Sequence, residues 1–203
     1  AMGKALRTGA LAAGAAAGGI MATALTKGFN RLNAIDQAEA KLRGLGRTAE
    51  EIGTIMDGAG AAVRGTAFGL DEAATAASKL ASSGLDVGEE LDRAVRLTAD
   101  IATQAGEGMD EISSIMAKVA GAGKLTGETL AQLDDRAVGA ASAIADHFNV
   151  SIEEARQMVS NGAVDFETFS TIMEEHIGGA ALESGNTFQG AMDNMGAALG
   201  RVG

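Results

Sequence analysis

VRGTAFGLDEAATAASKLASSG, Val63 to Gly84, compresses a glycine turn, a helix start, a helix body and a stop into one block. Gly65 and Gly69 bracket Thr66-Ala67-Phe68, so the backbone there is free to take positive φ values that cost other residues about 1–2 kcal/mol. Phe68 is then the one large side chain that the turn can press against a core. Leu70 followed by Asp71 reads as a hydrophobic residue ahead of an N-cap, with Asp71 accepting from the free amides that open a helix. Ala73, Ala74, Ala77, Leu80 and Ala81 recur at three- and four-residue spacings on one narrow face. Gly84 ends the element.

The same grammar runs outward in both directions. Upstream, Phe29, Leu32, Ile35, Ala38 and Leu42 predict an amphipathic helix stopped by Gly44 and Gly46. Thr48 with Glu51 forms a capping box ahead of Ile52, Ile55 and Met56, and Gly58 and Gly60 are expected to weaken that helix. Downstream, Asp86 with Glu89 reads as a second capping box, opening a helix with the stripe Leu91, Val95, Thr98, Ile101 and Ala102. Gly106 and Gly108 stop it. Asp110 is expected to cap a short helix bearing Ile112, Ile115, Met116 and Val119, which breaks at Gly121-Ala122-Gly123, and Thr126 starts another through Leu130 and Leu133. A helix is expected over 137–148, with Val138, Ala141, Ile144, Ala145 and Phe148 on one face. Ser151 with Glu154 makes a third capping box, and Asn161-Gly162 is a C-terminal signal. Asp165 caps a helix holding Phe166, Phe169, Ile172 and Met173, and Gly178-Gly179 ends it. Residues 180–200 give a final glycine-interrupted helix with Leu182, Phe188, Met192, Met195 and Leu199. Nothing alternates or clusters β-branched residues as strands do. The expected class is therefore all-α: short, glycine-punctuated helices following a longer N-terminal helix rich in Ala and Gly.

Composition narrows the chemistry. Hydrophobic residues make up 46% of the 203, but aromatics only 3%, so a core must be built from alanine, nine Met and six Phe. Glycine, at 29 residues, is about twice its usual ~7% share. Proline is absent, so glycine and caps do all the punctuation. Cysteine is also absent, which removes disulfides, thiolate metal sites and cysteine nucleophiles together. Net charge is −11, unevenly placed: residues 1–47 carry seven Lys and Arg against Asp36 and Glu39, a balance of +5 that leaves −16 for the rest. Such a surface repels phosphates, and no basic patch with aromatic platforms exists, so no direct nucleic-acid binding is expected. The boundary falls naturally between a basic arm, 1–46, and an acidic helical core, 47–203.

Within the arm, nineteen residues from Thr8 to Thr26 carry no charge. Three readings stay open. A basic start and Ala22-Thr23-Ala24 fit a signal peptide; the length approaches that of a membrane span; and Gly14 and Gly18, in GxxxG register beside Ile20 and Met21, fit close helix association or a membrane face.

Candidate reactive centres weigh lightly. Gly121-Ala122-Gly123-Lys124-Leu125-Thr126 suggests a phosphate loop, yet Lys118 stands where the first glycine belongs and Leu125 separates the lysine from the hydroxyl. A helix-to-helix turn is the simpler reading. His147 and His176 have neither an HExxH pattern nor a second imidazole one turn away, and solvated helix ends are their expected homes. Glu89-Glu90, Asp134-Asp135 and Glu153-Glu154 are sequence neighbours, which point in different directions on a helix. They read as caps and surface charge. No GxSxG elbow is present. No enzyme activity, cofactor or metal is expected.

GTAFGLDEAATAASKLASSG resembles a signature near the N-terminus of the tape measure proteins of long-tailed bacteriophages. The resemblance extends to FNRLNAIDQAEAKLRGLG (Phe29 to Gly46), IMAKVAGAGKLTGETLAQL (Ile115 to Leu133), VSIEEARQMVSNGAVDFETF (Val150 to Phe169) and GGAALESGNTFQGAMDNMGAALGRVG (Gly178 to Gly203). Five blocks in one order make the match specific. One block departs: after Leu130-Ala131-Gln132-Leu133, where many relatives turn through Gly-Ile-Pro, this chain has Asp134-Asp135-Arg136-Ala137-Val138-Gly139. The resemblance implies a structural tail component of a phage, prophage or tailocin particle, concerned with tail length, tail assembly and genome ejection. It implies further copies of itself, tail tube proteins, tail tip or baseplate proteins and tail assembly chaperones as partners, with a host membrane met during ejection. The implied location is the tail lumen of the virion, reached from the host cytoplasm. Gly65, Thr66, Phe68, Gly69, Leu70, Asp71 and Gly84 are the expected motif and packing positions. Ala1-Met2 and the end at Gly203 suggest a piece of a longer polypeptide. The competing expectation is a membrane-inserting module using residues 8–26; a cell-wall hydrolase is a third.

Overall fold

The computed structural model describes residues 28–202. They form α1 (28–44), α2 (Ala49–Ala62), α3 (Leu70–Ser82), α4 (Glu89–Ala105), α5 (Met109–Ala122), α6 (Gly127–Asp134), α7 (Ala140–Phe148), α8 (Ile152–Ser160), α9 (Phe166–Ile177), α10 (Ala180–Gly185) and α11 (Phe188–Val202). Among the described residues there is no strand, and the all-α expectation holds. The readings attached to residues 1–27, including Gly14, Gly18, Ile20 and Met21, lie outside them.

Helix α4 is the hub. It packs against α2, α3, α5, α9 and α10, while α3 packs against α2 and α5. A second group, α6 to α9, closes through α7 on α8 and α9 and joins the first at α5–α6 and α4–α9. One apolar cluster runs through both groups, from Leu42 to Ala181. Its α3 face is the predicted one: Ala73, Ala74, Ala77, Leu80 and Ala81 are all buried, with Ala76 added. Small side chains bring helices together, and at Gly58 a Cβ would collide with the Asp92 carboxylate on α4. Gly58 and Gly60 therefore do not end α2. Its helix continues to Ala62, because packing against α3 and α4 outweighs the propensity loss of about 1 kcal/mol per glycine.

Caps divide into those placed correctly and those shifted. Thr48–Glu51 and Ser151–Glu154 form reciprocal boxes, and Thr126 and Asp165 accept from the amides of Thr129 and Thr168. In contrast, α3, α4 and α5 begin at Gly69, Gly88 and Gly108, so Asp71, Asp86 and Asp110 are not N-caps. The cause is visible at α3, where Glu72 reaches back to accept from Gly69 N at 3.1 Å. A glutamate at the third helical position does the capping, which frees Asp71 for Arg31, 3.5 Å away. Before α4, Glu90 accepts from Asp86 N, and Asp110 instead takes the Lys79 ammonium.

Two other expectations are corrected. Helix α7 starts at Ala140, not at residue 137. Ala137 takes φ +57°, a left-handed conformation usual for glycine, while Val138 N donates to Leu133 O and closes α6. Asp134 then accepts from Ala141 N, so the departing block builds its own turn. The final helix is two, broken at Asn186, and three of its apolar positions, Leu182, Met192 and Met195, are exposed. The same holds for Phe29 and Leu32 on α1, whose buried residues are Ala38 and Leu42.

Candidate functional site

The motif stretch builds a junction in which backbone groups of distant segments meet. Thr66 is buried; its hydroxyl donates to Val63 O at 2.9 Å and accepts from Phe68 N, so this threonine folds the turn on itself. Gly65 adopts φ +85°, but Gly69 is extended at φ −88°, so only the first of the two glycines is needed for a left-handed turn. At Gly69 a Cβ would meet the Asp71 carboxylate, which would have to shift. Phe68 and Leu70 are half-buried against the core, and Gly84, exposed at φ +103°, follows the end of α3.

Gly65 also supplies a docking point. Its carbonyl accepts from Asn194 Nδ2 at 3.2 Å, and Asn194 also donates to Gly185 O. A side chain at Gly185 would run into the same Gly65 carbonyl. The end of α10 thus lies directly on the turn between α2 and α3. Burial holds the Glu72 carboxyl above its ordinary range; the Gly69 amide opposes this, while Asp71 and Glu111 push the same way as burial.

Beneath α10, Asp100 on α4 does what the sequence did not disclose. Its two oxygens accept from Gly179 N at 3.0 Å and Ala181 N at 2.9 Å, a carboxylate from one helix capping the start of another. A cavity of about 230 Å³ adjoins it, lined among others by Ala62, Thr66, Leu97, Glu174 and Leu182. Beside it Arg93 binds Glu174 at 2.7 Å, Glu167 at 2.6 Å and the Thr171 hydroxyl, clamping α4 to α9; the two carboxylates raise its already high guanidinium pKa further. Neither Asp100 nor Arg93 was singled out from sequence. The available signal was Asp100 itself, an acid one turn beyond Leu97 in the middle of a helix whose other acids lie in its first turn.

These contacts join protein to protein and contain no reactive set. His147 lies 3.2 Å from Glu175, and both are exposed. Among the described residues no three His, Cys, Asp or Glu converge to hold a metal. The glycine-lysine loop is used structurally: Leu125 N donates to Val164 O and Phe166 N to Gly123 O, pinning the α5–α6 turn to the start of α9. The loop amides Gly123 N and Leu125 N are thus bonded to the Ala120 and Val164 carbonyls and do not point into an open anion-binding turn. Among the described residues no helix is long and apolar enough to cross a membrane.

The described residues form an all-α domain held by alanine faces, glycine contacts and caps between helices. The family described as tape measure protein matches residues 26–202, and the chain belongs to that family. This makes it a structural component of a phage tail. No curated protein and no solved structure matches.

Proposed function

We propose that this domain is a folded anchor of the tape measure, engaged in tail assembly, length determination and genome ejection without being the measuring rod itself. The observation that carries the proposal is helix length. Among the described residues the longest helices, α1 and α4, reach 17 residues, a rise of about 25 Å at 1.5 Å per residue. The chain then folds back, so adding residues to such a domain adds bulk instead of length. Its acidic, capped surface and exposed apolar ends suit contact with further copies, with the tail tube and tip or baseplate, and with assembly chaperones in the host cytoplasm before it enters the tail lumen. During ejection residues 8–26 would meet the host membrane.

The test is an in-frame removal of residues 47–203 in the phage that carries them, with tails counted and measured by electron microscopy. An anchor predicts loss of assembled tails. Intact tails shortened by about 1.5 Å per deleted residue would make the domain part of the rod and overturn the proposal.

A further inference from the structure

Helices α10 and α11 are fastened to the domain differently from the rest. The core helices bury large side chains, Leu80 on α3 and Phe169 on α9 among them, whereas the residues described as buried in α10 and α11 are Ala181, Gly185, Gly190 and Ala197. Among helices α2 to α11, α11 packs chiefly on α10, and α10 on α4. What holds them is polar and point-like. The Gly179 and Ala181 amides donate to the Asp100 carboxylate, Asn194 Nδ2 donates to Gly65 O, and Arg31 Nη1 donates to Gly196 O at 3.3 Å. A segment that buries little apolar surface opens at a lower free energy than the core it lies on.

The segment joins α9 through two glycines. Gly178 N still donates to Glu174 O; Gly178 then extends to ψ 134°, and Gly179 turns left-handed at φ +87°. In an unbroken helix the amides of residues 179 and 181 would bond to the carbonyls of Glu175 and Ile177. Asp100 takes both instead, so the break is made good from α4. The other attachment is the motif turn. A Cβ on Gly185 would collide with Gly65 O, so α10 rests there backbone against backbone. Within that turn Thr66 N donates to Val63 O and Phe68 N to the Thr66 hydroxyl, and these two amides report whether the turn is intact.

We propose that α10–α11 is a strap that lifts as one unit about Gly178 and Gly179, with Asp100 as its catch and the Gly65–Thr66 turn as its seat. The motif glycine then serves its own chain, presenting a carbonyl on which the strap rests. Lifting bares the turn and the cleft beneath α10 while α3, α4 and α5 keep their packing. Seated, the strap withholds both from other protein.

Native-state hydrogen exchange of the full chain, followed residue by residue in rising low urea, tests this. The amides of α10 and α11 are expected to exchange through one opening whose urea dependence is weak, and those of Leu80 and Met116 only through global unfolding, whose dependence is steep. Asp100→Ala should speed exchange by roughly five- to 150-fold in α10 and α11 and also at Thr66 and Phe68. Asp100→Asn, which keeps one acceptor oxygen, should give a smaller gain at the same amides. Asn194→Ala, which loosens the seat and leaves the catch alone, should speed the same two regions. Acceleration confined to α10 and α11, with Thr66 and Phe68 unmoved in every variant, would overturn the seat. A urea dependence in α10 and α11 as steep as that of Leu80 and Met116 would make them part of the core and overturn the strap. Should Asp100→Ala fail to fold, the unmodified chain and Asn194→Ala decide both points.

Discussion

Helices α3 and α11 start from nearly the same pattern, alanines and glycines with larger apolar residues at three- and four-residue spacing, and end in opposite environments. In α3 Leu80 has no exposed surface and seven positions are buried, because α2, α4 and α5 surround it. In α11 Met192 and Met195 face solvent, and the helix is held on its inner side by Asn194 on the Gly65 and Gly185 carbonyls and by Arg31 on Gly196. An apolar stripe states that a face can be buried. Whether it is buried depends on what the rest of the chain brings to it.

The comparison can be broken first at the core. Phe169 on α9 is fully buried, so Phe169→Ala is expected to lower stability by about 3–5 kcal/mol in urea unfolding, whereas Met195→Ala should stay within about 0.5 kcal/mol. A large loss from Met195→Ala would mean that its face is covered in the folded protein. The next effect is at the seam between the two regions. Asp100→Ala strands the Gly179 and Ala181 amides, with an expected loss of about 1–3 kcal/mol. Amide exchange should accelerate across residues 179–202 while α3 and α4 keep their protection. Uniform acceleration everywhere would show that α10 and α11 are integral to the core.

The smallest effect is pH dependence. Backbone amides at their caps hold Glu51, Glu154 and Asp165 below their ordinary values of 4.5, 4.5 and 3.8. A lowered folded pKa gives stability that is complete above the unfolded value and is lost as pH falls through the folded one. Glu72 works in reverse: its raised pKa favours the protonated fold at low pH, and that contribution disappears as pH rises through the folded value. The urea midpoint should therefore fall below about pH 4.5, less steeply in Asp165→Asn and more steeply in Glu72→Gln. Identical slopes in all three proteins would remove the caps as the cause.

Much of this was legible in advance because it is local. Thr48–Glu51, Ser151–Glu154, Asp165 and the turn at Asn161-Gly162 involve residues within a few positions of one another, and the chemistry of a cap travels with its sequence. The shifted starts of α3, α4 and α5 mark the limit. An aspartate and a glutamate both lie near each start, and a competing partner, Arg31 for Asp71 or Lys79 for Asp110, decides which carboxylate faces the backbone. The junction was half legible: Gly65, Thr66 and Phe68 were identified as turn residues, but Gly185 and Asn194, more than a hundred positions away, were not.

The amino-acid sequence by itself determined the helical class, most of the punctuation and the tape measure family, since periodicity, capping and motif order are written along the chain. Only the tertiary structure decided that α4 is the hub, that Asp100 caps α10, that Gly58 and Gly185 are sites of close approach, and that Phe29 and Leu32 on α1 and Met192 and Met195 on α11 stay in solvent. Each of these depends on which surfaces meet across long sequence separations, where burial and steric exclusion act between elements and no local rule applies.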